Sequence, residues 1–363
     1  MAGQSSPHRI LCASFNQDNS CFAVGTGDGF KIFDLNTGQM LHEQVAGAFS
    51  IVEMLFKSSL VCIVGAGEQP SLSPRRLSLF DTKKGTALRE MNFLTSILAV
   101  RVNKQRLIIV LQEKIYIYDT NNGEILHILN TVPNVKGLCA FSANMDNPYL
   151  ALPASTTAGS VLVYNVMDLQ SHCEIDAHRS PLAALAFSPN GMYIATASEQ
   201  GTIVRVYLVS DATESHSFRR GTCASTIYSL SFGPSVDLPD ILLATSSSGS
   251  VHIFSLGFVL KERKSKSFFG SIMSGSVSDT SDHLVYHNAF AAGVRSDAIV
   301  QKIERISDTS SSNPVALRAT VSMITFNGYF QEYCFSINHK HEPTWTLERQ
   351  FNLSTAVVGQ SSS

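Results

Sequence analysis

The chain has 363 residues, a formal net charge of −2, 44% hydrophobic residues and 15% charged ones. That is enough apolar material for a large core, and the near-neutral balance argues against nucleic-acid binding through a broadly basic face. Any basic site must be local. Met1 to Ser6 are polar and contain no apolar core of a signal peptide. No apolar run reaches the roughly 18 residues of a spanning helix. The seven cysteines, Cys12, Cys21, Cys62, Cys139, Cys173, Cys223 and Cys334, are odd in number and scattered, without C-x-x-C spacing. They read as reduced core residues of a cytosolic protein.

Strand-like segments that close on an aromatic recur from the N-terminus onward. The first is Gly29-Phe-Lys-Ile-Phe33, then Arg76-Leu-Ser-Leu-Phe80 and Lys114-Ile-Tyr-Ile-Tyr118. Gly159 to Tyr164, Gly201 to Tyr207 and Gly249 to Phe254 follow, with a looser seventh from Gly328 to Tyr333. The first six aromatics lie about 38 to 47 residues apart, the period of a four-stranded propeller blade. Companion strands precede them, as in Cys21–Gly25, Leu107–Leu111, Tyr193–Ala197 and Ile241–Thr245. Asp28-Gly29, Asn122-Gly123 and Asn190-Gly191 mark hairpin turns. Gly25-Thr-Gly-Asp-Gly29 looks like a dinucleotide loop but opens no helix, so it is a hairpin. Long amphipathic helical patterns are absent. The pattern predicts an all-β, WD40-like, seven-bladed β-propeller spanning residues 1–353 as one domain, with a flexible tail over 354–363.

Between Phe254 and Tyr333 the gap is about 79 residues, well beyond the period. This predicts a long loop inserted in blade 6 over residues 256–288. Lys261, Arg263, Lys264 and Lys266 stand there against one acid, Glu262, and Phe268, Phe269, Ile272 and Met273 follow. Each cation near an anionic leaflet contributes on the order of 1 kcal/mol, and the apolar residues can enter the headgroup boundary. The insertion therefore reads as a membrane foot. Seven serines thread it (Ser265, Ser267, Ser271, Ser274, Ser276, Ser278 and Ser281), and phosphate added to them would repel an anionic surface. Residues 308–313 read as a simple surface loop.

Phe218-Arg219-Arg220-Gly221 carries the most chemistry. Neighbouring side chains on an extended segment point to opposite sides, so Arg219 and Arg220 cannot serve one ligand together. Each can organise its own pocket, because a guanidinium fork matches phosphate. Two such pockets on one edge would grip two lipid headgroups. Gly221 is expected to supply the backbone freedom that aims them.

In register with the repeats, Phe218 to Gly221 resembles the signature of the PROPPIN family, β-propellers that bind polyphosphoinositides in autophagy and endolysosomal traffic. Leu72-Ser-Pro-Arg-Arg-Leu77 resembles that family's second-blade segment, Arg106 to Asp119 its third, and Asp176 to Leu182 with Ala186 to Gly191 and Ala197 to Tyr207 its fifth. The resemblance runs from about Ile10 to Gly257 and resumes weakly near Val321. It implies a first headgroup site of His178, Ser198, Thr202, Arg205 and Arg219, drawn from blade five. It implies a second of Arg220, Thr226, Ser248, Ser250 and His252, drawn from blade six. Phosphatidylinositol 3-phosphate and phosphatidylinositol 3,5-bisphosphate are the implied ligands. The implied place is the cytoplasm, peripheral on preautophagosomal, endosomal or vacuolar membranes. Proteins of the autophagic lipid-transfer and conjugation systems are the implied partners, met on blades 2 and 3 with Arg75 and Arg76 as contacts.

Other readings are available for single residues. His178 can be a structural histidine bonded within the blade, and the serines and threonines can be ordinary turn residues. His283 with His287 and His339 with His341 lack cysteine or carboxylate partners at zinc spacing. No nucleophile elbow, Walker loop or paired catalytic acid occurs, so neither enzyme activity nor a cofactor or metal is expected. The alternative to a phosphoinositide adaptor is a WD40-like protein-interaction scaffold without lipid binding.

Overall fold

Strand-forming residues are arranged so that each four-strand unit covers its neighbour. The computed structural model describes residues 9–235, 240–257, 283–305, 315–338 and 342–355. They form β1 to β28, gathered into seven four-stranded antiparallel sheets. Every sheet takes four consecutive strands, from β1–β4 (Ile10 to Val45) to β25–β28 (Ser296 to Asn352). The first strands touch those of neighbouring blades and form the innermost ring, and the fourth strands are the outer edges. The chain is a seven-bladed β-propeller.

Burial follows from that stacking. A second strand has a blade on each face, so β2 (Cys21–Thr26) and β22 (Ile241–Ser246) are buried throughout and read as continuous apolar runs rather than alternating ones. An edge strand such as β8 (Thr86–Asn92) is almost wholly exposed and carries charge that discourages further pairing. Six of the recurring aromatics stand near the ends of third strands, and the seventh, Tyr333, lies midway along β27 (Tyr329–Asn338). Phe33, Phe80, Tyr118, Tyr164, Tyr207, Phe254 and Tyr333 are all buried. Seven apolar clusters lie between successive blades, one to each interface.

Blade 7 closes on blade 1 without exchanging a strand. Phe22 stacks on Phe33 at 4.9 Å and on Phe330 at 5.0 Å, and Phe330 stacks on Phe351. Arg349 bridges the junction: its Nη2 donates to Leu35 O at 2.6 Å and to Glu332 at 2.8 Å, and its Nη1 to Asn36 O at 2.9 Å. Lys31 Nζ donates to Ser354 O at 3.1 Å, which ties the start of the expected tail to blade 1.

Blade 6 corrects the expected loop boundary. Its fourth strand, β24 (His283–Tyr286), lies inside the 256–288 span and pairs with β23 (Val251–Ser255) in register from His252 with Val285 to Phe254 with His283. A blade needs its fourth strand to cover the third, and the period reading could not find it across so long an interruption. Residues 258–282, which hold the expected membrane foot and its serines, lie outside the described residues, as do 306–314, 339–341 and 356–363. No helix among the described residues is long and apolar enough to cross a membrane.

Candidate functional site

Pairing in blade 5 sets the two arginines apart. In β20 (Thr213–Arg219), Arg219 lies opposite Ile203 and Ser217 opposite Arg205 of β19 (Ile203–Leu208), while Phe218 lies opposite Val204. Arg219 and Arg205 therefore share one face, and Phe218 has the other. The Arg205 face looks toward blade 4. The Phe218 face looks toward blade 6, where the Phe218 ring stacks on Phe254 at 4.9 Å. Arg220 lies one residue past the end of β20, with its amide N held to Thr202 O at 2.9 Å.

Toward blade 4, His178 is the last residue of β16 (Gln170–His178), the outer strand of blade 4. The blade-five assignment is thus corrected: the site straddles two blades. Arg205 Nη1 donates to Ala177 O at 2.5 Å and to His178 Nδ1 at 3.2 Å. That leaves His178 Nε2 as the protonated nitrogen, donating to Thr196 Oγ1 at 2.9 Å. Burial first, then the Arg205 charge, pushes His178 down to about 4, so the ring is neutral at pH 7 and serves to hold Arg205. Arg205 Nε lies 3.2 Å from Glu214 Oε2 as an ion pair, without the alignment of a hydrogen bond. These residues wall a cleft of about 440 Å³ with Asp176 and Tyr207. Two acids, Asp176 and Glu214, and two arginines, Arg205 and Arg179, line it, so it offers an anion no net positive charge. Arg219 is different: it is exposed, and among the described residues no acid takes its guanidinium. Ser198 is buried and Thr202 half-buried in the turn leading to β19.

Toward blade 6, Arg220 is half-buried. Its Nε donates to Gly201 O at 2.5 Å and its Nη2 to Cys223 O. Carbonyls, not acids, hold it, so the side chain is fixed with its charge uncancelled. His252 is buried; its ring contacts Ser246 Oγ at 3.2 Å and His283 Nε2 at 3.0 Å. Burial, then His283, Arg220 and His287 in turn, push His252 down to about 3. Ser250 Oγ meets His287 Nδ1 at 3.4 Å, and Ser248 Oγ meets Ser246 Oγ at 2.9 Å. Thr226 is exposed at the rim, its amide N bonded to Ser247 Oγ at 3.1 Å. Hydroxyls and imidazoles are donors suited to phosphate, and the Arg220 charge reaches His252. His283 and His287, which zinc spacing had set aside, are here beside His252 and Ser250. Their sequence distance across the insertion hid them.

The glycine expectation also changes. Gly221 has no left-handed φ, and a Cβ there would meet nothing, so it does not aim the arginines. The turns before β19 and β23 do need glycine. Gly201 has φ +58°, and its Cβ would sit 1.8 Å from Ser225 O; Gly249 has φ +80° with Phe290 O at 2.4 Å. Both hold neighbouring blades in close approach. Of the partner-surface residues, Arg75 is exposed, and Arg76 pairs with Glu90 at 3.5 Å. Among the described residues no cluster of His, Cys, Asp or Glu could hold a metal ion.

Known proteins resemble the chain along this whole length. A family model described as PROPPIN matches residues 9–295. Autophagy-related protein 18b of Arabidopsis thaliana is 63% identical over 99% of this chain and 100% of its own length. Autophagy-related protein 18 of Yarrowia lipolytica is 33% identical over 96% of this chain and 98% of its own length. Among solved structures, Kluyveromyces lactis Hsv2 superposes with a TM-score of 0.71 at 18% identity, covering 95% of this chain and 99% of that one. KlAtg21, solved in complex with the coiled coil of AgAtg16, superposes with a TM-score of 0.71 at 21% identity and the same coverage. At such identities these two structures speak to the fold alone.

Proposed function

Since the chain belongs to the PROPPIN family of phosphoinositide-binding propellers, we propose that it is a peripheral membrane adaptor of autophagy that grips two headgroups from opposite sides of one outer strand. The ligands are phosphatidylinositol 3-phosphate and phosphatidylinositol 3,5-bisphosphate, on autophagic and endolysosomal membranes. The observations that support this are that Arg219 lies on the blade 4 face of β20 and that Arg220, one residue beyond the strand, is close enough for its charge to act on His252 of blade 6. Arg219 with Thr202 and Ser198 makes the first pocket, with Arg205 and His178 behind it. Arg220 with Thr226, Ser248, Ser250 and His252 makes the second. Two weak contacts in one membrane multiply through effective concentration, and the blade 6 insertion, with Lys261 to Met273, adds a third. The surface of blades 2 and 3 around Arg75 and Arg76 receives autophagy proteins of the lipid-transfer and conjugation systems.

Flotation with vesicles carrying phosphatidylinositol 3-phosphate tests this. Arg219→Thr with Arg220→Thr abolishes flotation while the melting temperature is kept, and each single change weakens it. Undiminished flotation of the double variant would leave a protein-interaction scaffold as the better reading.

A further inference from the structure

A second cleft lies on the end of the ring that carries the connections between blades. It is about 440 Å³ and is lined by Arg9, Leu11, Val294, Arg295, Phe326 and Asn327 among others. The residues come from the lead-in to β1 (Ile10–Phe15), the link between blades 6 and 7, and the turn between β26 (Val315–Thr325) and β27 (Tyr329–Asn338). Two arginines are among its lining residues, and among the described residues no acid is. Arg295 is held in place: its Cζ lies 4.5 Å over the centre of the Phe326 ring, and its backbone O accepts from Phe326 N at 2.9 Å. Asp297, outside the cleft lining, makes a long ion pair with its Nη2 at 3.7 Å. Stacking occupies the face of a guanidinium and leaves its in-plane N–H edge for a ligand. The side chain is 58% exposed, so that edge is reachable.

We propose that this cleft binds a phosphorylated side chain of a protein partner. A phosphoryl group carries a charge of about −1.5 to −2 at pH 7 and three acceptor oxygens, which suits a cleft lined by two arginines and, among the described residues, no acid. Leu11, Val294 and the Phe326 ring offer apolar wall to the residues beside it. Location decides between a peptide and a lipid. β1 and β25 (Ser296–Arg305) belong to the innermost ring, whereas Arg219 ends an outer strand. A bilayer held at the outer edge lies beside the ring, not over its axis.

The test is fluorescence anisotropy with a labelled short peptide of alanine and leucine around one phosphoserine, run against its unphosphorylated twin. The phosphorylated peptide binds and its twin does not, and inorganic phosphate displaces it. Arg9→Gln with Arg295→Gln weakens binding about tenfold or more, as loss of charge-assisted bonds requires. Asn327→Asp, at an exposed turn, does the same by repulsion and carries the test should the double variant melt early. Flotation on phosphoinositide vesicles is unchanged in all of them. No binding of the phosphopeptide, or equal binding by Asn327→Asp, overturns the proposal. Loss of flotation in these variants also overturns it, since the cleft would then be meeting lipid.

Discussion

His178 shows how much of a side chain's role depends on what faces it. A base kept neutral by burial takes up its proton only on unfolding. Its folded pKa of about 4 lies below the ordinary histidine value of 6.5, so its contribution is full above that ordinary value and is lost as the pH falls toward about 4. Unfolding free energy measured against pH should therefore drop across that window, and His178→Gln should flatten the drop. His252 carries the opposite consequence for binding. Burial, then His283, Arg220 and His287, keep its ring neutral in the free protein, and a phosphate beside it would favour the imidazolium. Because the free ring sits at about 3, vesicle affinity should gain a component that grows as the pH falls below neutrality toward that value, and no such gain on going from pH 7 to about 5 would contradict a phosphate at that ring. Gly201→Ala meets Ser225 O and a left-handed φ. It should destabilise the fold by more than about 1 kcal/mol and, because Gly201 O holds Arg220, weaken lipid binding as well.

At the level of elements, aromatic spacing revealed the blades because each third strand carries a ring buried between sheets. Phe254→Ala should cost about 3–5 kcal/mol in urea unfolding, as it empties the space between Phe218 and His283. The face of Arg219 was legible from strand alternation, a strict period of two, whereas β20 ends at Arg219 and alternation does not reach Arg220. The second pocket was less so. His283 and His287 come from the strand after the insertion, and only pairing in space puts them beside His252 and Ser250. The need for glycine likewise went to Gly221 by motif, when close blade contacts place it at Gly201 and Gly249. The insertion itself is proposed to be a membrane foot. Replacing residues 258–282 by a Gly-Ser linker should leave the melting temperature unchanged and reduce flotation, most on vesicles rich in anionic lipid.

Across the whole molecule, the ring is shut by side chains. Every blade is built from one stretch of chain, so no shared sheet locks blade 7 to blade 1. Stacked phenylalanines and the Arg349 bridge do that work, and nothing in the sequence marks Arg349 as different from a solvated edge residue. Arg349→Ala should lower stability by about 2–3 kcal/mol, read as an earlier midpoint in urea, and leave isolated headgroup binding intact below the transition. A closed ring keeps blades 4, 5 and 6 at fixed angles, and that is what makes two pockets on one strand a single docking edge.

The two-sided grip is tested most directly by counting. Calorimetric titration with a short-chain, soluble phosphatidylinositol 3-phosphate should give two headgroups per wild-type chain and one for either Arg219→Thr or Arg220→Thr. One headgroup for the wild type, lost with either arginine, would mean that both side chains serve a single pocket and would contradict the account.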